Sequence, residues 1–257
     1  MPSLFDLSSR VAVVLGGTSG IGRALSVGLA EHGADVVPSG RREANVHEVS
    51  RAIEAMGRRT LRQTCDVSSR ESIDALRDRV LEHFGRVDIL VYAAGITFRQ
   101  ATLDVPEQRW DDVFDTGVTG AVRSAQSFHG ALKASGRGRI VNIASLSSYV
   151  AFHEVAAYSA AKSALLSLTR NLGCEWARDG ILVNAIAPGV FPTELNRSII
   201  EGTERGRELL TRTPMHRFGR PEELVGAAVL LASDAASFMT GTAIAVDGGF
   251  LASGVNS

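Results

Sequence analysis

Short apolar runs alternate along the chain with longer segments in which apolar residues recur every three or four positions. Runs that are almost continuously apolar are typical of strands buried on both faces, and the segments between them are typical of helices covering a parallel sheet. The runs occupy residues 11–15, 35–37, 60–65, 89–93, 140–143, 182–186 and 243–246. We therefore predict an α/β fold in which one domain, residues 1–257, contains a doubly wound sheet of seven parallel strands with helices on both faces.

One segment interrupts this alternation. Residues 190–219 follow a predicted strand and mix polar and apolar side chains without clean periodicity. Doubly wound sheets bind their ligands beyond the carboxyl ends of the strands. We therefore predict that this segment is a substrate loop.

The composition narrows the possible classes of function. The chain has 27 basic and 28 acidic residues, and its net charge of -1 argues against binding to nucleic acid or to an anionic membrane by bulk charge. No apolar run approaches the roughly 18 residues of a membrane span, and residues 1–10 lack the pattern of a secretory signal. Cys65 and Cys174 are too few for a disulfide scaffold or a zinc site, so we expect no metal and a location in the reducing cytoplasm.

A glycine-rich turn follows the first predicted strand and precedes a helical segment. Such a turn lets the backbone approach a pyrophosphate, and the helix N-terminus offers free N–H groups and partial positive charge. The glycines are spaced G-x-x-x-G-x-G, and turns of this kind also occur for packing alone. We predict that a dinucleotide binds here, through Gly16, Thr18, Ser19, Gly20, Ile21 and Gly22.

The residues after the second and third predicted strands bear on the choice of cofactor. An NAD-specific site of this type places a carboxylate at the end of the second strand, where it bonds the ribose 2′-hydroxyl. Gly40 stands at that position and is followed by Arg41 and Arg42. Guanidinium groups bind a 2′-phosphate well, although both arginines could also be solvated residues of a helix start. NADP(H) is therefore favoured over NAD(H). We predict that Asp66 and Val67 border the adenine, although by sequence alone Asp66 could equally be a helix cap before Ser68-Ser69.

A tyrosine and a lysine form the candidate reaction centre. Tyr158 and Lys162 are four residues apart in a predicted helix, which places them on one face. A phenol has an ordinary pKa near 10, and a neighbouring ammonium lowers it by favouring the phenolate. Such a pair can exchange a proton with an alcohol or carbonyl oxygen, whereas a solvated surface pair would do no chemistry. Ser145 follows the fifth predicted strand and could donate to the substrate oxygen, with Ser147 and Ser148 as alternatives by position.

Together these motifs resemble the short-chain dehydrogenase/reductase family over nearly the whole chain. The residues that carry the resemblance are Gly16-Gly17-Thr18-Ser19-Gly20-Ile21-Gly22, Asp66-Val67, Ala93-Ala94-Gly95, Ser145, Tyr158-Ser159-Ala160-Ala161-Lys162, Asn184-Ala185-Ile186-Ala187-Pro188-Gly189 and Val246-Asp247-Gly248-Gly249. The resemblance implies a Rossmann-type catalytic domain, a homotetramer, and hydride transfer between a nicotinamide and an alcohol or carbonyl group. The implied enzyme is an NAD(P)-dependent alcohol dehydrogenase or carbonyl reductase.

The same resemblance assigns roles to individual residues. It implies that Tyr158 is the acid/base and that Ser145 orients the substrate oxygen. It also implies that Lys162 binds the nicotinamide ribose and lowers the pKa of the tyrosine. Further cofactor contacts are implied for Ala93, Ala94, Gly95, Pro188, Gly189, the Phe191 backbone and the Thr193 hydroxyl.

Three residues depart from the family pattern. Leu15 stands where a threonine usually begins the glycine motif, and Tyr92 where an asparagine usually precedes Ala93. These two family positions lie close together, so we interpret the changes as compensating each other. Gly117 stands where the family has an asparagine that holds a water for a proton relay from the lysine. Because glycine has no side chain for that bond, we predict an active enzyme with an altered relay.

The substrate is read from polar residues near Tyr158 and in the predicted loop. Such groups could bond several hydroxyls or a carboxylate, and the loop resembles that of sugar and sugar-acid dehydrogenases of the gluconate 5-dehydrogenase type, so we favour a sugar, polyol or sugar acid. The candidate substrate residues are Ser147, His153, Glu154 and Glu194, with Asn196 beside them in the loop. One alternative is a 3-oxoacyl-thioester reductase, which would need a basic patch for an acidic carrier protein. Another, from a different class, is a cofactor-binding regulator without turnover.

Overall fold

A parallel β-sheet of six strands runs through the part of the chain that this computed structural model describes, residues 3–194 and 196–255. Its strands are β1 (Val11–Leu15), β2 (Asp35–Ser39), β3 (Ile89–Tyr92), β4 (Arg139–Ile143), β5 (Leu182–Pro188) and β6 (Ala243–Val246). They lie in the order β2-β1-β3-β4-β5-β6, so the strand order reverses between β1 and β3. The predicted α/β fold with a parallel, doubly wound sheet is confirmed.

The prediction of a seventh strand, at residues 60–65, is wrong. This segment lies along the outer edge of β2 and begins there in register, since the Val36 N–H donates to the Arg59 carbonyl (3.1 Å). N–H groups alternate in direction along a strand, so the next one facing the segment would come from residue 38. Pro38 stands at that position and has no N–H to donate. The ladder is therefore interrupted, and the apolar run stays extended without becoming a strand.

Helices cover both faces of the sheet. They are α1 (Gly20–Glu31), α2 (Glu43–Ala55), α3 (Arg70–Phe84), α4 (Glu107–Phe114), α5 (Gly120–Ala134), α6 (Ala156–Glu175), α7 (Arg197–Ile200), α8 (Glu204–Arg212) and α9 (Val225–Ala232). Apolar residues of α1, α2 and α9 form one core with the sheet, and those of α3, α5 and α6 form a second core on the opposite face. Along β1 the side chains alternate between the two cores, with Val14 in the first and Val13 in the second. This double burial explains why the strands are continuously apolar in sequence.

A buried ion cluster ties the strands together at the amino-terminal edge of the sheet. Asp88, directly before β3, is fully buried and accepts a hydrogen bond from the Val11 N–H of β1 (2.9 Å). The guanidinium groups of Arg86 and Arg137 lie 2.5 and 3.0 Å from its carboxylate. The carboxylate therefore connects the beginnings of β1, β3 and β4.

The segment after β5, residues 190–219, is less irregular than its sequence indicates. It contains α7 and α8, and the Thr203 hydroxyl caps α8 by accepting from the Gly206 N–H (3.0 Å). Buried Ile200 and Leu209 pack with Phe250 in a small core of their own. Among the helices that the structure describes, none is both long and apolar enough to cross a membrane.

Candidate active site

A groove of about 430 Å³ lies beyond the carboxyl ends of the strands. Residues that directly follow β1 to β5 line it, and it includes the crevice where the strand order reverses, the usual ligand site of a doubly wound sheet. Its wall brings together the predicted cofactor residues Gly16, Thr18, Ser19, Gly20, Ile21, Gly22, Arg41, Arg42, Asp66, Val67, Ala93, Ala94, Gly95, Pro188, Gly189, Phe191 and Thr193. The predicted catalytic residues Ser145, Tyr158 and Lys162 line the same groove.

The glycine turn has no room for side chains. A Cβ atom on Gly16 would lie 2.7 Å from the Ala94 nitrogen, and one on Gly22 would overlap the Gly16 carbonyl oxygen. The Ser19 side chain, at the start of α1, makes no capping hydrogen bond. The first N–H groups of α1 are therefore available to a ligand, and the bare backbone permits its close approach.

The end of β2 is crowded by the Thr18 side chain. A Cβ atom on Gly40 would lie 2.8 Å from the Thr18 hydroxyl oxygen, so the threonine occupies space that an acidic residue would need. The next two residues, Arg41 and Arg42, both line the groove. This wall of the groove presents a hydroxyl and two guanidinium groups.

The predicted reaction centre is assembled from β4 and α6. The Ser145 hydroxyl accepts from the Ser147 N–H (3.1 Å), which holds the turn after β4 in place. Tyr158 and Lys162 lie one turn apart on the first half of α6, an alanine-rich sequence with high helix propensity. The Lys162 side chain is 5% exposed, and its ammonium donates to the Ile143 carbonyl oxygen at 2.7 Å.

Burial controls the titration of this centre. It lowers the pKa of Lys162 to about 8. It also raises the pKa of the Tyr158 phenol, and a hydrogen bond from Ser145 opposes that rise. The sequence predicts that the Lys162 ammonium lowers the tyrosine pKa, but the ammonium points to the Ile143 carbonyl and lies 5.7 Å from the centre of the Tyr158 ring. The lowering of the phenol pKa by Lys162 stays a prediction, and the Ser145 hydrogen bond is what opposes the rise of that pKa in this structure.

Comparisons with known proteins agree with this geometry. The profile of a family described as Enoyl-(Acyl carrier protein) reductase matches residues 16–251. The 2-dehydro-3-deoxy-D-gluconate 5-dehydrogenase of Dickeya dadantii is 40% identical over 252 residues, which cover 96% of this chain and 98% of that protein. The chain belongs to the short-chain dehydrogenase/reductase family. The predicted family is thus confirmed, and with it the class of NAD(P)-dependent oxidoreductases.

Two further relatives bear on cofactor and substrate. The NAD-dependent glycerol dehydrogenase of Listeria innocua is 37% identical over 96% of this chain and 95% of its own length. The solved structure of a gluconate 5-dehydrogenase from Burkholderia cenocepacia, in complex with NADP and tartrate, superimposes with a TM-score of 0.93. It is 36% identical and covers 97% of this chain and 98% of its own. Relatives of similar identity therefore differ in the cofactor and substrate that they use.

The groove of this short-chain dehydrogenase/reductase fits a nicotinamide dinucleotide. The uncapped start of α1 can receive the pyrophosphate, and Arg41 and Arg42 line the groove beyond the end of β2, on the side of the adenosine ribose. Near the reaction centre a Cβ atom on Gly95 would lie 3.5 Å from the Lys162 ammonium, so the absence of a side chain leaves the lysine accessible from the groove. These residues would hold the pyrophosphate, the adenosine and the nicotinamide ribose respectively.

Two of the departures from the family pattern lie side by side. Leu15 of β1 and Tyr92 of β3 are direct partners in the sheet register. The buried Tyr92 hydroxyl donates to the Thr116 carbonyl in a π-helical segment, Asp115–Thr119, which joins α4 to α5. A Cβ atom on Gly120 would overlap that hydroxyl, so the glycine makes room for the tyrosine. The larger side chain thus supports the segment that contains the third departure.

That third departure, Gly117, lies buried in the middle of the π-helical segment. A Cβ atom there would meet only the Ala161 Cβ, at 3.4 Å, which is the short end of ordinary van der Waals contact. Ala161 directly precedes Lys162 on α6. The backbone can therefore accept a side chain at residue 117, next to the lysine, although this chain has none.

The predicted substrate residues have different surroundings. Glu194 lines the groove, whereas His153 lines a separate cavity of about 330 Å³. Glu154 is paired with Arg99 at 2.5 Å. The Ser147 hydroxyl is buried and has no hydrogen-bond partner within the described part of the chain. The roles of these four residues stay predictions.

The sequence did not indicate how Asn196 is used. Its side-chain oxygen accepts from the Thr193 N–H (2.8 Å), and its amide nitrogen donates to the Phe191 carbonyl (3.0 Å). The side chain thus shapes its own loop, and the residue also lines the groove. Asparagine often bonds nearby backbone groups in turns, a signal that could have suggested this role.

Proposed function

We propose that this protein is an NADP(H)-dependent dehydrogenase that interconverts a secondary hydroxyl and a ketone on a sugar acid. The observation that carries the proposal is that one groove contains Ser145, Tyr158 and Lys162 together with the glycine turn. Support for the substrate class comes from the names of the relatives, 2-dehydro-3-deoxy-D-gluconate 5-dehydrogenase and gluconate 5-dehydrogenase, and from the hydroxy acid tartrate in one solved complex.

The residues divide the proton chemistry among them. The Ser145 hydroxyl donates to the substrate oxygen and orients it, while Tyr158 takes the hydroxyl proton during oxidation and returns it during reduction. A bound nicotinamide supplies the acceptor or donor of the hydride. The Lys162 ammonium adds positive charge beside the site where the phenolate forms, and its low pKa of about 8 keeps it close to proton exchange at neutral pH.

The preference for NADP(H) rests on the wall at the end of β2. Residue 40 is a glycine crowded by Thr18 instead of an acidic residue, and two arginines follow it. We expect a higher kcat/KM for NADP⁺ than for NAD⁺, and a selective loss of NADP⁺ turnover in Arg41→Gln and Arg42→Gln. Equal kcat/KM for both cofactors in the wild type would contradict the preference without affecting the oxidoreductase assignment.

Initial rates on a substrate panel test the substrate class. The panel contains gluconate and its 5-keto form, a polyol and an acetoacetyl thioester, each with both cofactors. Highest kcat/KM on the sugar acid is the expected result, and a preference for the acetoacetyl thioester would favour the alternative, a 3-oxoacyl-thioester reductase. Tight NADPH binding without turnover on the whole panel would support the regulator instead.

We further propose that the protein acts as a homotetramer in the cytoplasm. Phe238 and Leu103 are fully exposed apolar side chains that an interface between subunits would cover. The small apolar residues of α9 give no such support, because Ala228 and Leu231 are buried in their own subunit. Cys65 and Cys174 are free thiols, as expected in a reducing compartment. Light scattering of the purified protein measures the assembly state.

A further inference from the structure

An ion pair crosses the mouth of the groove. The Glu194 carboxylate lies 3.5 Å from the Arg42 guanidinium, and both residues line the groove. Arg42 immediately precedes α2, whereas Glu194 belongs to the segment after β5. Two distant parts of the sequence therefore meet above the place where we expect the adenosine ribose.

The segment that contains Glu194 has a defined conformation. Asn196, two residues after Glu194, bonds the backbone before it: its side-chain oxygen accepts from the Thr193 N–H (2.8 Å) and its amide nitrogen donates to the Phe191 carbonyl (3.0 Å). Thr193 also packs on the glycine turn, since a Cβ atom on Gly20 would lie 3.0 Å from its methyl carbon. The loop backbone thus directs Glu194 toward the start of α2.

The two arginines of the groove therefore differ in what surrounds them. Hydrogen bonds from Ser68 to the Asp66 carboxylate lower its pKa, and the nearby charge of Arg41 adds to this lowering. Arg42 has Glu194 as its ion-pair partner. A 2′-phosphate that binds Arg42 competes with this carboxylate for the guanidinium donors and is repelled by its charge. A ribose 2′-hydroxyl is subject to neither effect.

We propose that Glu194 is a specificity-determining residue, which weakens NADP(H) relative to NAD(H) by competing with the 2′-phosphate for Arg42. The inference rests on the proposed binding of that phosphate by the arginines. Because both side chains are largely exposed, 58% and 78%, the ion pair is screened and its effect on affinity is modest. Glu194 therefore reduces, without reversing, the preference for NADP(H) over NAD(H) that Arg41 and Arg42 establish.

Fluorescence titration with NADPH and NADH tests this without measuring turnover. We expect Glu194→Gln to bind NADPH about two- to fivefold more tightly than the wild type at low ionic strength, while the dissociation constant for NADH stays unchanged. The gain should disappear in the double variant Arg42→Gln/Glu194→Gln, because no guanidinium is left to compete for. It should also shrink as salt is raised.

A matched control separates this effect from a general change of charge. Glu201→Gln removes a carboxylate from the same region, one that pairs with Arg197 at 3.4 Å and does not line the groove. It should leave both dissociation constants unchanged. If Arg42→Gln weakens NADPH while Glu194→Gln has no effect, the role of Glu194 is overturned and the proposed NADP(H) preference stands. If neither Arg41→Gln nor Arg42→Gln weakens NADPH relative to NADH, the preference fails and the inference fails with it.

Discussion

The two edges of the sheet differ in whether a buried charge is compensated by neighbouring charges. At the amino-terminal edge, Asp88 is fully buried, yet two guanidinium groups and a backbone N–H compensate its charge. At the carboxyl-terminal edge, Lys162 is nearly as buried, and within the described residues its ammonium makes one hydrogen bond, to the Ile143 carbonyl. It forms no ion pair with any residue in the described ranges.

This difference separates stability from function. A compensated charge can hold strand ends together, whereas an uncompensated one costs stability and is kept where a ligand or a reaction needs it. The lowered pKa of Lys162 shows that the ammonium is disfavoured in the folded protein. The amino-terminal edge is therefore expected to govern unfolding, and the carboxyl-terminal edge to govern turnover.

Of the variants considered, Tyr158→Phe should give the largest loss of turnover for the smallest change in stability. Removing the phenol oxygen eliminates the proposed acid/base, so kcat should fall by about 10²- to 10⁴-fold. The free energy of unfolding, measured in urea, should change little, because the ring still fills the same space. Tyr149→Phe is the matched control, as it removes the hydroxyl of a tyrosine that is 51% exposed. Wild-type turnover in Tyr158→Phe would exclude the phenol from the reaction.

Asp88→Asn should have the opposite effect. The variant keeps the shape of the side chain but weakens the charge-assisted hydrogen bonds from Arg86, Arg137 and the Val11 N–H, so the free energy of unfolding should fall by about 1.5–3 kcal/mol. The kcat of the folded protein should be unchanged. Asp78→Asn, which removes an exposed carboxylate paired with Arg77, should cost less than about 1 kcal/mol. Equal losses in urea titrations of the two variants would contradict the special role of the amino-terminal edge.

Much of this architecture can be predicted from the sequence because it depends on local patterns. Strands buried on both faces leave continuous apolar runs, and the bounds of β1 and β6 agree with the predicted ones. The prediction of a strand at residues 60–65 was wrong because the segment itself has the pattern of a strand, whereas the residue that prevents its pairing, Pro38, lies on the adjacent strand β2. Apolar periodicity reports burial and carries no information about which N–H groups a partner can offer.

The same distinction between local pattern and long-range contact applies to the residues of the site. Motif residues could be placed in one groove, because the carboxyl ends of parallel strands meet at one edge. The ion pair between Glu194 and Arg42 could not be foreseen, since it joins residues about 150 positions apart through the conformation of a loop. The direction in which the Lys162 ammonium points could not be predicted either, because its partner is the Ile143 backbone carbonyl, which every residue type has.

Lys162→Met should stabilise the protein while it inactivates the enzyme. Methionine fills similar space without a charge, so the free energy of unfolding at neutral pH should rise by about 1–3 kcal/mol. The folded-state pKa of about 8 lies below the ordinary value of 10.5, so the unfolded chain binds the proton more tightly between these two values. The advantage of the variant should therefore be fully present below pH 8 and shrink as the pH rises toward 10. An advantage that is independent of pH in urea titrations would show that the ammonium is not its cause.

Gly117→Asn should produce the smallest effect. The Ala161 Cβ leaves room for the new side chain, and replacing a glycine within a helical segment should add a few tenths of a kcal/mol to the free energy of unfolding. If the missing amide limits the proton relay, kcat should rise a few fold and its pH profile should shift, because the asparagine can hydrogen-bond where glycine cannot. Gly117→Ala supplies the same Cβ without the amide and should show only the gain in stability. Identical pH–rate profiles for the two variants would mean that the relay does not limit turnover, and that the edge of the sheet bearing Lys162 already exchanges protons without a side chain at residue 117.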